Sequence, residues 1–563
     1  MTNKAIAKQL KLASNLIELT GGNEFKARAF SSGARTIEQL SEPVEKLVQE
    51  GSLTEVQGIG KSIAKDITEL VETGDMSLIT DLLSAIPTGL LDVLQVKGLG
   101  PKKVRTLWQQ LDVTSLETLE TAAASGQIAS LQGFGAKTAE NIVSSIEQLR
   151  AYAGQLHYAE ANGFINELIK ALEAADGIER AEATGEFRRQ LEVIGDVVVV
   201  VEGEASAILD ALAENKVTLE QPDNGGPLRG ETHYGLPITI HKASHESYGR
   251  TVWATTGSES HIAAFVEQHG MPTDASEEST IYETKGLAFI HPAMRENMGE
   301  LEAAADGSLP QLIEDKDLKG TLHNHTTYSD GAHSLREMIE ETRSMDLSYF
   351  GVCDHSQSLQ VAHGLPIEKL LRQIEEVASL NSEFAENDAD PFRVFSGTEC
   401  DILADGSMDY PDEILEQLDV VVASIHTNFG LSEAKQTDRL IAAVSNPHVD
   451  ILGHPTGRLL LRREGYKIDH EAVLQACAET NTAVEINANP WRLDLDWRWV
   501  RRATALGIPI AINPDAHAKS QLHFMRWGVS VAQKGWLTAS QCLNALSADD
   551  LADWLHNRSN KNN

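Results

Sequence analysis

The stretch Leu322-His323-Asn324-His325-Thr326-Thr327-Tyr328-Ser329-Asp330-Gly331 decides how the C-terminal part of this chain is read. A strand alternates its side chains between two faces, so His323 and His325 point the same way and can grip one ion together. Further His and acidic residues follow, most of them after a short apolar run. Phe350-Gly351-Val352-Cys353 leads into Asp354-His355, residues 394–398 into Glu399, and residues 420–425 into His426. Ile451-Leu452-Gly453 precedes His454, Ala483-Val484-Glu485-Ile486-Asn487 forms another run, and residues 508–512 precede Asp515-Ala516-His517. Helical stretches over 334–343, 368–384 and 470–480 lie between them, and this β-α repeat predicts a closed or nearly closed parallel barrel. Chemistry in such barrels sits at the carboxyl ends of the strands, where these residues fall. Imidazole with carboxylate and no thiolate suits Zn, Mn or Fe, and closely spaced ions can clamp both the attacking and the leaving oxygen of a phosphoryl transfer.

These motifs resemble the PHP (polymerase and histidinol phosphatase) phosphoesterase family. The resemblance implies a distorted (β/α)7-like barrel over residues 320–556 with a site for two to three divalent ions, Zn, Mn or Fe, with Mn supporting activity. Its nine ligand positions fall on His323, His325, Asp330, His355, Glu399, His426, His454, Asp515 and His517. Glu399 would bridge two ions, and Glu399, His426 and Asp515 are the catalytic candidates, with metal-activated water as nucleophile. Arg458 and Arg492 are candidates to hold a phosphate through a planar fork of donors. The acid that commonly precedes the first Leu-His of the motif is Thr321 here, a change expected to alter support around the ligands but not ligation.

Toward the N-terminus, three similar loops recur: Val56-Gln57-Gly58-Ile59-Gly60-Lys61, Val96-Lys97-Gly98-Leu99-Gly100-Pro101 and Leu131-Gln132-Gly133-Phe134-Gly135-Ala136-Lys137. A Gly-apolar-Gly loop lets backbone approach a ligand closely, and the helix start behind it presents amides to a phosphate oxygen. The repeat resembles helix-hairpin-helix modules, which grip the nucleic-acid backbone without reading bases. Gly58, Gly60, Lys61, Gly98, Gly100, Lys102, Lys103, Gly133, Gly135 and Lys137 are therefore DNA-binding candidates, joined by Lys26 and Arg28 in Phe25-Lys26-Ala27-Arg28-Ala29-Phe30. The opening residues resemble the DNA-end-binding domain of X-family DNA polymerases.

The middle of the chain continues that likeness. Gly185-Glu186-Phe187-Arg188-Arg189, Gly195-Asp196, Glu246-Ser247-Tyr248-Gly249 and Thr256-Gly257-Ser258 keep the α+β outline of a polymerase palm and thumb. Nucleotidyl transfer in that family needs three carboxylates around two Mg ions. Only Asp196 is in place, with Val198 and Thr239 at the other two positions. Glu186 stands where a phosphate-contacting Ser is expected, and Ala254-Thr255 where a Tyr-Phe pair would receive the sugar. The palm is thus expected to be a degenerate polymerase site, Val197 to Val201 a buried strand, and Glu192, Glu202 and Glu204 the nearest replacement acids.

A chain of 563 residues holds several domains. The expected division is a helix-hairpin-helix region over 1–150, palm and thumb over 151–302, a linker over 303–319, the barrel over 320–556 and a polar tail over 557–563, with a helical stretch over 149–163. With no signal peptide and no apolar run long enough for a membrane helix, the expected chain is a cytoplasmic monomer with no membrane partner. Cys353, Cys400, Cys477 and Cys542 have no paired spacing and read as reduced core residues. The net charge of −36 opposes phosphate binding, but residues 1–150 carry 15 Lys and Arg against 18 Asp and Glu, so the excess acid lies elsewhere. The expected function is DNA-repair phosphoester hydrolysis, as a 3′ to 5′ exonuclease or 3′-end-processing enzyme, with 3′-phosphatase and abasic-site cleavage in its range. Gapped, nicked or 3′-blocked DNA and other repair enzymes are the expected partners. The alternatives are an active gap-filling polymerase with a proofreading PHP domain, a small-molecule phosphatase and a non-enzymatic DNA-end scaffold.

Overall fold

Val, Ile and Ala fill the short C-terminal runs because a parallel strand is covered on both faces, and every such run forms a buried strand. In the computed structural model, residues 1, 3–40, 42–213, 217–220, 226–387 and 392–560 are described. Seven parallel strands, Gly320–Thr321, Tyr349–Val352, Arg393–Asp401, Val420–Ser424, Ile451–Leu452, Ala483–Asn487 and Ile510–Asn513, lie side by side in chain order. A parallel bridge between Asn324 and Ala516 brings the first and last strands together, leaving the barrel nearly closed. Helices Leu335–Ser344, Ile367–Asn387, Glu433–Val444, His470–Thr480 and Trp497–Ala505 connect successive strands.

The chain forms two compact units, Met1–Ala153 and Gly154–Asn563. The first is wholly helical, and its core draws on Ile6, Leu10, Phe30, Ile63, Ile67, Leu90, Val104, Leu107, Ile142 and Ile146. The second contains the barrel and an α+β region with a five-stranded sheet. Strand Val197–Gly203 lies in the sheet interior, antiparallel to Ile178–Ala183 and parallel to Pro237–Ala243. Val197, Val199, Val200 and Val201 are buried, as the valine run predicts. An apolar core runs from helix Tyr158–Glu173 into the barrel helices, with the Tyr158 ring 5.3 Å from Phe187 and 5.7 Å from Trp527. Helices Tyr248–Thr256, Glu259–His269 and Ser279–Glu283 pack around Trp253, Phe265 and Tyr282 as a thumb-like cluster.

Two local expectations are corrected. The stretch 149–163 is not one helix: the helix ends at Tyr152, Gly154 turns the chain with φ +71°, and a short strand Leu156–His157 pairs with Val193–Ile194 before the next helix begins. Residues 303–319 are not a loose linker, because they begin inside helix Glu300–Asp306 and anchor themselves through buried Ile313 and Leu318. Residues 557–560 continue helix Ala548–Asn560, while 561–563 lie outside the described residues. Among the described residues, no helix is long and apolar enough to cross a membrane. All four cysteines are buried and none is in a disulfide.

Candidate metal centre

Each barrel strand ends with its next residues turned into the mouth of the barrel, and the parallel order brings donors from distant sequence positions together. Glu399, on strand Arg393–Asp401, is the hub. Its Oε1 lies 2.8 Å from His454 Nε2, 3.2 Å from His426 Nε2 and 3.4 Å from His323 Nε2. Its Oε2 lies 2.8 Å from His355 Nδ1 and 3.6 Å from His325 Nε2. Asp515 Oδ1 is 3.0 Å from His325 Nε2 and 3.7 Å from both His323 Nε2 and His517 Nδ1. Asp330 Oδ1 reaches His355 Nε2 at 3.5 Å and His517 Nε2 at 3.4 Å. The His325 ring stacks between His355 and His517, with centroids 4.3 and 4.1 Å away.

The donors fall into three overlapping groups able to hold an ion: His325, Asp330, His355 and His517; His323, His325 and Asp515; His355, Glu399 and His426. His454 adjoins the last through Glu399. Several buried atoms, namely His323 Nε2, His325 Nδ1, His355 Nδ1, His454 Nδ1 and Glu399 Oε2, make no hydrogen bond. Buried polar atoms are normally paired, so His323 Nε2 and His355 Nδ1, unpaired although they lie beside Glu399, fit positive ions. His454 and Asp515 hold left-handed backbone, φ +24° and +52°, a strain that surrounding contacts must sustain.

Burial would strip charge from these groups, but their neighbours decide the outcome. Burial lowers the pKa of His426, yet Glu399 and Asp401 outweigh it and push the imidazole up to about 10. For His517, burial is likewise outweighed by Asp330 and Asp515, and its pKa rises to about 9. Burial lowers His325 to about 3, helped by the positive charges of His517 and His355. Glu399 is held well below the usual carboxylate range because the facing histidines overcome its burial.

A second tier of polar groups supports the donors. Glu485 Oε1 lies 2.7 Å from His323 Nδ1, and its Oε2 accepts the His454 amide at 2.8 Å. Asn513 donates to Glu485, Asn487 to both Glu485 and Asp515, and Asp401 Oδ1 lies 3.0 Å from His426 Nδ1. Such partners fix tautomer and ring orientation at metal sites. Asp354, immediately before His355, accepts from Thr326, Ser329 and Gln373 and so ties down the loop bearing Asp330. Glu485 and Asp401 were not singled out in the sequence, although a carboxylate inside an apolar strand run and an acid two residues after Glu399 were available signals. At the departure from the motif, Thr321 Oγ1 accepts from Asn324 Nδ2 at 3.2 Å.

The two candidate arginines part company. Arg492 lies at the cluster, its Nε 3.7 Å from Asp515 Oδ2. Arg458 is corrected as a phosphate ligand. It donates to the carbonyls of Arg492 and Leu493, pairs with Asp496 at 2.7 Å, and reaches Glu192 of the palm at 3.3 Å, which commits its donors.

The three glycine loops share one conformation. Gly58, Gly98 and Gly133 have φ +93°, +84° and +87°, a region that favours glycine. Gly60, Gly100 and Gly135 are extended N-caps without side-chain caps, opening helices Lys61–Thr73, Pro101–Leu111 and Ala136–Tyr152. A Cβ at any of these three N-caps would meet no protein atom within 4 Å. Lys26, Lys61 and Lys103 are exposed, and Lys103 donates to the Gly98 carbonyl. Lys102 pairs with Glu24 at 2.7 Å, Arg28 with Glu24 at 3.7 Å, and Lys137 with Glu140 at 3.6 Å.

In the palm, Val198 sits directly opposite Thr239 on adjacent parallel strands. Asp196 faces Glu186, and burial together with that negative charge raises its pKa. Glu186 itself accepts the Gly195 amide at 2.7 Å. The other acids point elsewhere: Glu192 to Arg458, Glu202 to Arg180 at 2.8 Å, and Glu204 to solvent. Among the described residues no group of three metal donors forms there.

Comparison with known proteins matches the two ends of the chain to family models and the whole chain to a relative. A helix-hairpin-helix domain model matches residues 1–76, a SAM-like helix-hairpin-helix tandem matches 90–148, and a PHP domain, a metal-dependent class, matches 321–489. A probable phosphatase of Thermoanaerobacter sp. is 28% identical over 237 residues, 39% of this chain and 88% of the relative. One of Clostridium acetobutylicum is 31% identical over 175 residues, 30% of this chain and 63% of the relative. The DNA polymerase/3′-5′ exonuclease PolX of Bacillus subtilis is 34% identical over 576 residues, 99% of each chain. Likeness sustained from end to end at that level means that the chain belongs to the PolX family, in which an X-family polymerase region is fused to a C-terminal PHP domain.

Proposed function

We propose that the barrel is the catalytic part of the chain, a metal-dependent phosphoesterase that trims or cleans 3′ ends of DNA in repair, as a 3′ to 5′ exonuclease with 3′-phosphatase capacity. The observation that carries this reading is the convergence of nine His, Asp and Glu donors in one cluster, five of its histidines against Glu399, with His323 Nε2 and His355 Nδ1 left without a hydrogen bond. Two to three ions would be held by His323, His325, Asp330, His355, Glu399, His426, His454, Asp515 and His517. When bound, they would stabilise charge on the phosphoryl oxygens and make a water acidic enough to attack.

The protein groups orient the ester. Arg492 would receive a non-bridging phosphate oxygen beside Asp515, through the fork geometry that suits phosphate. Glu485 and Asp401 keep His323 and His426 turned toward the ions. The three hairpins would lend backbone amides and Lys26, Lys61 and Lys103 to the DNA backbone, which would give binding without base preference at gapped, nicked or 3′-blocked ends.

The palm then guides DNA without polymerising it. Asp196 alone cannot hold two Mg ions, Val198 and Thr239 offer no carboxylate, and Glu186 would repel a nucleotide's phosphates. The Bacillus relative, a DNA polymerase as well as a 3′-5′ exonuclease by name, supports the second reading, a gap-filling polymerase with the barrel as proofreader.

A gel assay with Mn²⁺ on a 5′-labelled gapped duplex, with and without dNTPs, separates the two. The proposal expects shortening that disappears in a His323→Ala, His325→Ala variant and no extension. Extension that requires dNTPs would overturn the reading of the palm, and His-independent shortening would overturn that of the barrel.

A further inference from the structure

Glu192 stands just before strand Val193–Ile194, in the segment leading to Asp196, and is one of the acids that might have restored the palm's metal site. It is turned the other way, into the barrel. Its carboxylate reaches Arg458 Nη2 at 3.3 Å, with Arg498 at 4.0 Å, and its backbone carbonyl accepts the Tyr158 amide. Arg458 is half-buried, and its remaining donors serve the loop after strand Ala483–Asn487: Nε to the Arg492 carbonyl at 2.9 Å, Nη2 to that of Leu493, and Nη1 to Asp496. One residue along this loop, Leu493 holds left-handed backbone with φ +44°, a conformation that surrounding contacts must maintain. A second palm contact grips the same pair of loops. His157 Nε2 lies 3.1 Å from the Leu460 carbonyl, and the Leu460 amide donates to Trp491.

The backbone held in this way carries Arg492. Its guanidinium stands 3.7 Å from Asp515 Oδ2, an ion-pair distance that leaves its donors for an incoming anion. We infer that Glu192 is a positioning residue for the esterase. Through Arg458 it fixes the 491–493 backbone, and that backbone holds Arg492 where a phosphate oxygen of the ester must lie. The palm would then serve the barrel as part of its active-site scaffold. This rests on the proposed phosphoesterase reading, and specifically on Arg492 as the phosphate contact.

A merely mechanical ion pair between palm and barrel would cost stability whatever residue occupies position 492. A positioning role acts through Arg492 and must vanish without it. The test is a double-mutant cycle on the full chain with Glu192→Ala, Arg492→Ala and both together. Binding of inorganic phosphate to the Mn-loaded protein would be measured calorimetrically, alongside hydrogen exchange of amides 489–496 in the metal-free protein. Each single variant is expected to weaken phosphate about tenfold, the size of one charge-assisted hydrogen bond. The double variant should bind no more weakly than Arg492→Ala, and Glu192→Ala should speed exchange at 492 and 493. Multiplying losses, unchanged binding in Glu192→Ala, or a parent protein that binds no phosphate would overturn the inference. Should the Ala variant fail to fold, Glu192→Gln keeps the volume and one acceptor, and the same cycle run with it is expected to show a smaller loss with the same non-additivity. Phosphate binding does not depend on DNA cleavage. A coupled cycle in a protein that leaves DNA intact would sink the proposed function alone, whereas cleavage with an additive cycle would sink only this inference.

Discussion

Five imidazoles lie within 3.6 Å of the Glu399 carboxylate oxygens, and that density fixes how the site responds to pH. His426 and His517 have pKa values raised to about 10 and 9, so both carry protons in the metal-free protein at neutral pH. Their contribution to metal-free stability is full below the ordinary histidine pKa of 6.5 and is lost as pH rises through 9 to 10. Metal needs the neutral ring, so uptake near pH 7 should release about two protons or more, and affinity should climb toward pH 9. Calorimetric Mn²⁺ titrations in buffers of different ionisation heat would show this, and heats independent of the buffer would contradict it. Glu485→Gln removes the charge behind His323 and should weaken metal binding by about 10- to 100-fold while the fold survives, measured by metal competition and thermal melting. Most of the positions gathered here are legible because they follow an apolar strand run, whereas Asp330, in the loop after the first strand, is placed only by resemblance to the family motif. Glu485 and Asp401 left a weaker trace, an acid inside an apolar strand run and an acid two residues after Glu399, and only the folded barrel shows that each stands behind a histidine. Arg458 misled because standing four residues from His454 does not say which way the loop turns.

The glycine loops make the clearest link between a local sequence rule and a shape. Gly-apolar-Gly predicted three turns, and all three first glycines are left-handed while all three second glycines are extended caps. The two positions should therefore fail differently. Gly98→Ala forces a Cβ into φ +84° and should cost about 1 kcal/mol of stability in denaturant unfolding. Gly100→Val sits at φ −83°, where a Cβ meets no protein atom, and should cost only about 0.5 kcal/mol through the poorer N-cap while weakening DNA binding, because the branched side chain occupies the room a phosphate needs. A larger loss of stability in Gly100→Val with unchanged DNA affinity would remove the case for this loop as a backbone clamp. Elements whose boundaries depend on packing were harder to read. Asp306-Gly307-Ser308 and Pro310 are genuine turn signals, yet Ile313 and Leu318 anchor that segment in the core, and periodicity over so few residues does not reveal it.

Two compact units with unequal charge imply a division of labour that can be dissociated. Residues 1–150 are nearly balanced, whereas most of the net charge of −36 falls on the rest, so attraction to DNA must come from few cations. Of the candidate cations, Lys102, Arg28 and Lys137 pair with Glu24 or Glu140, so the proposed phosphate contacts are Lys26, Lys61 and Lys103, which face no carboxylate at ion-pair distance among the described residues. Three contacts predict a slope of log affinity against log salt of about −3, shallow for a duplex-binding protein and unsuited to long tracking along DNA. The hairpins should then matter for DNA and not for chemistry. A Gly60→Val, Gly100→Val, Gly135→Val variant should raise KM for a gapped duplex several-fold and leave Mn-dependent hydrolysis of bis(p-nitrophenyl) phosphate untouched, since that small diester has no backbone for the hairpins to hold. His323→Ala with His325→Ala should abolish both hydrolyses while keeping the DNA affinity and its salt slope. Loss of small-diester hydrolysis in the hairpin variant would mean that the helical unit takes part in the chemistry. A salt slope much steeper than −3 would mean that cations beyond these three lysines meet the DNA, and that the acidic surface restrains binding less than its charge implies.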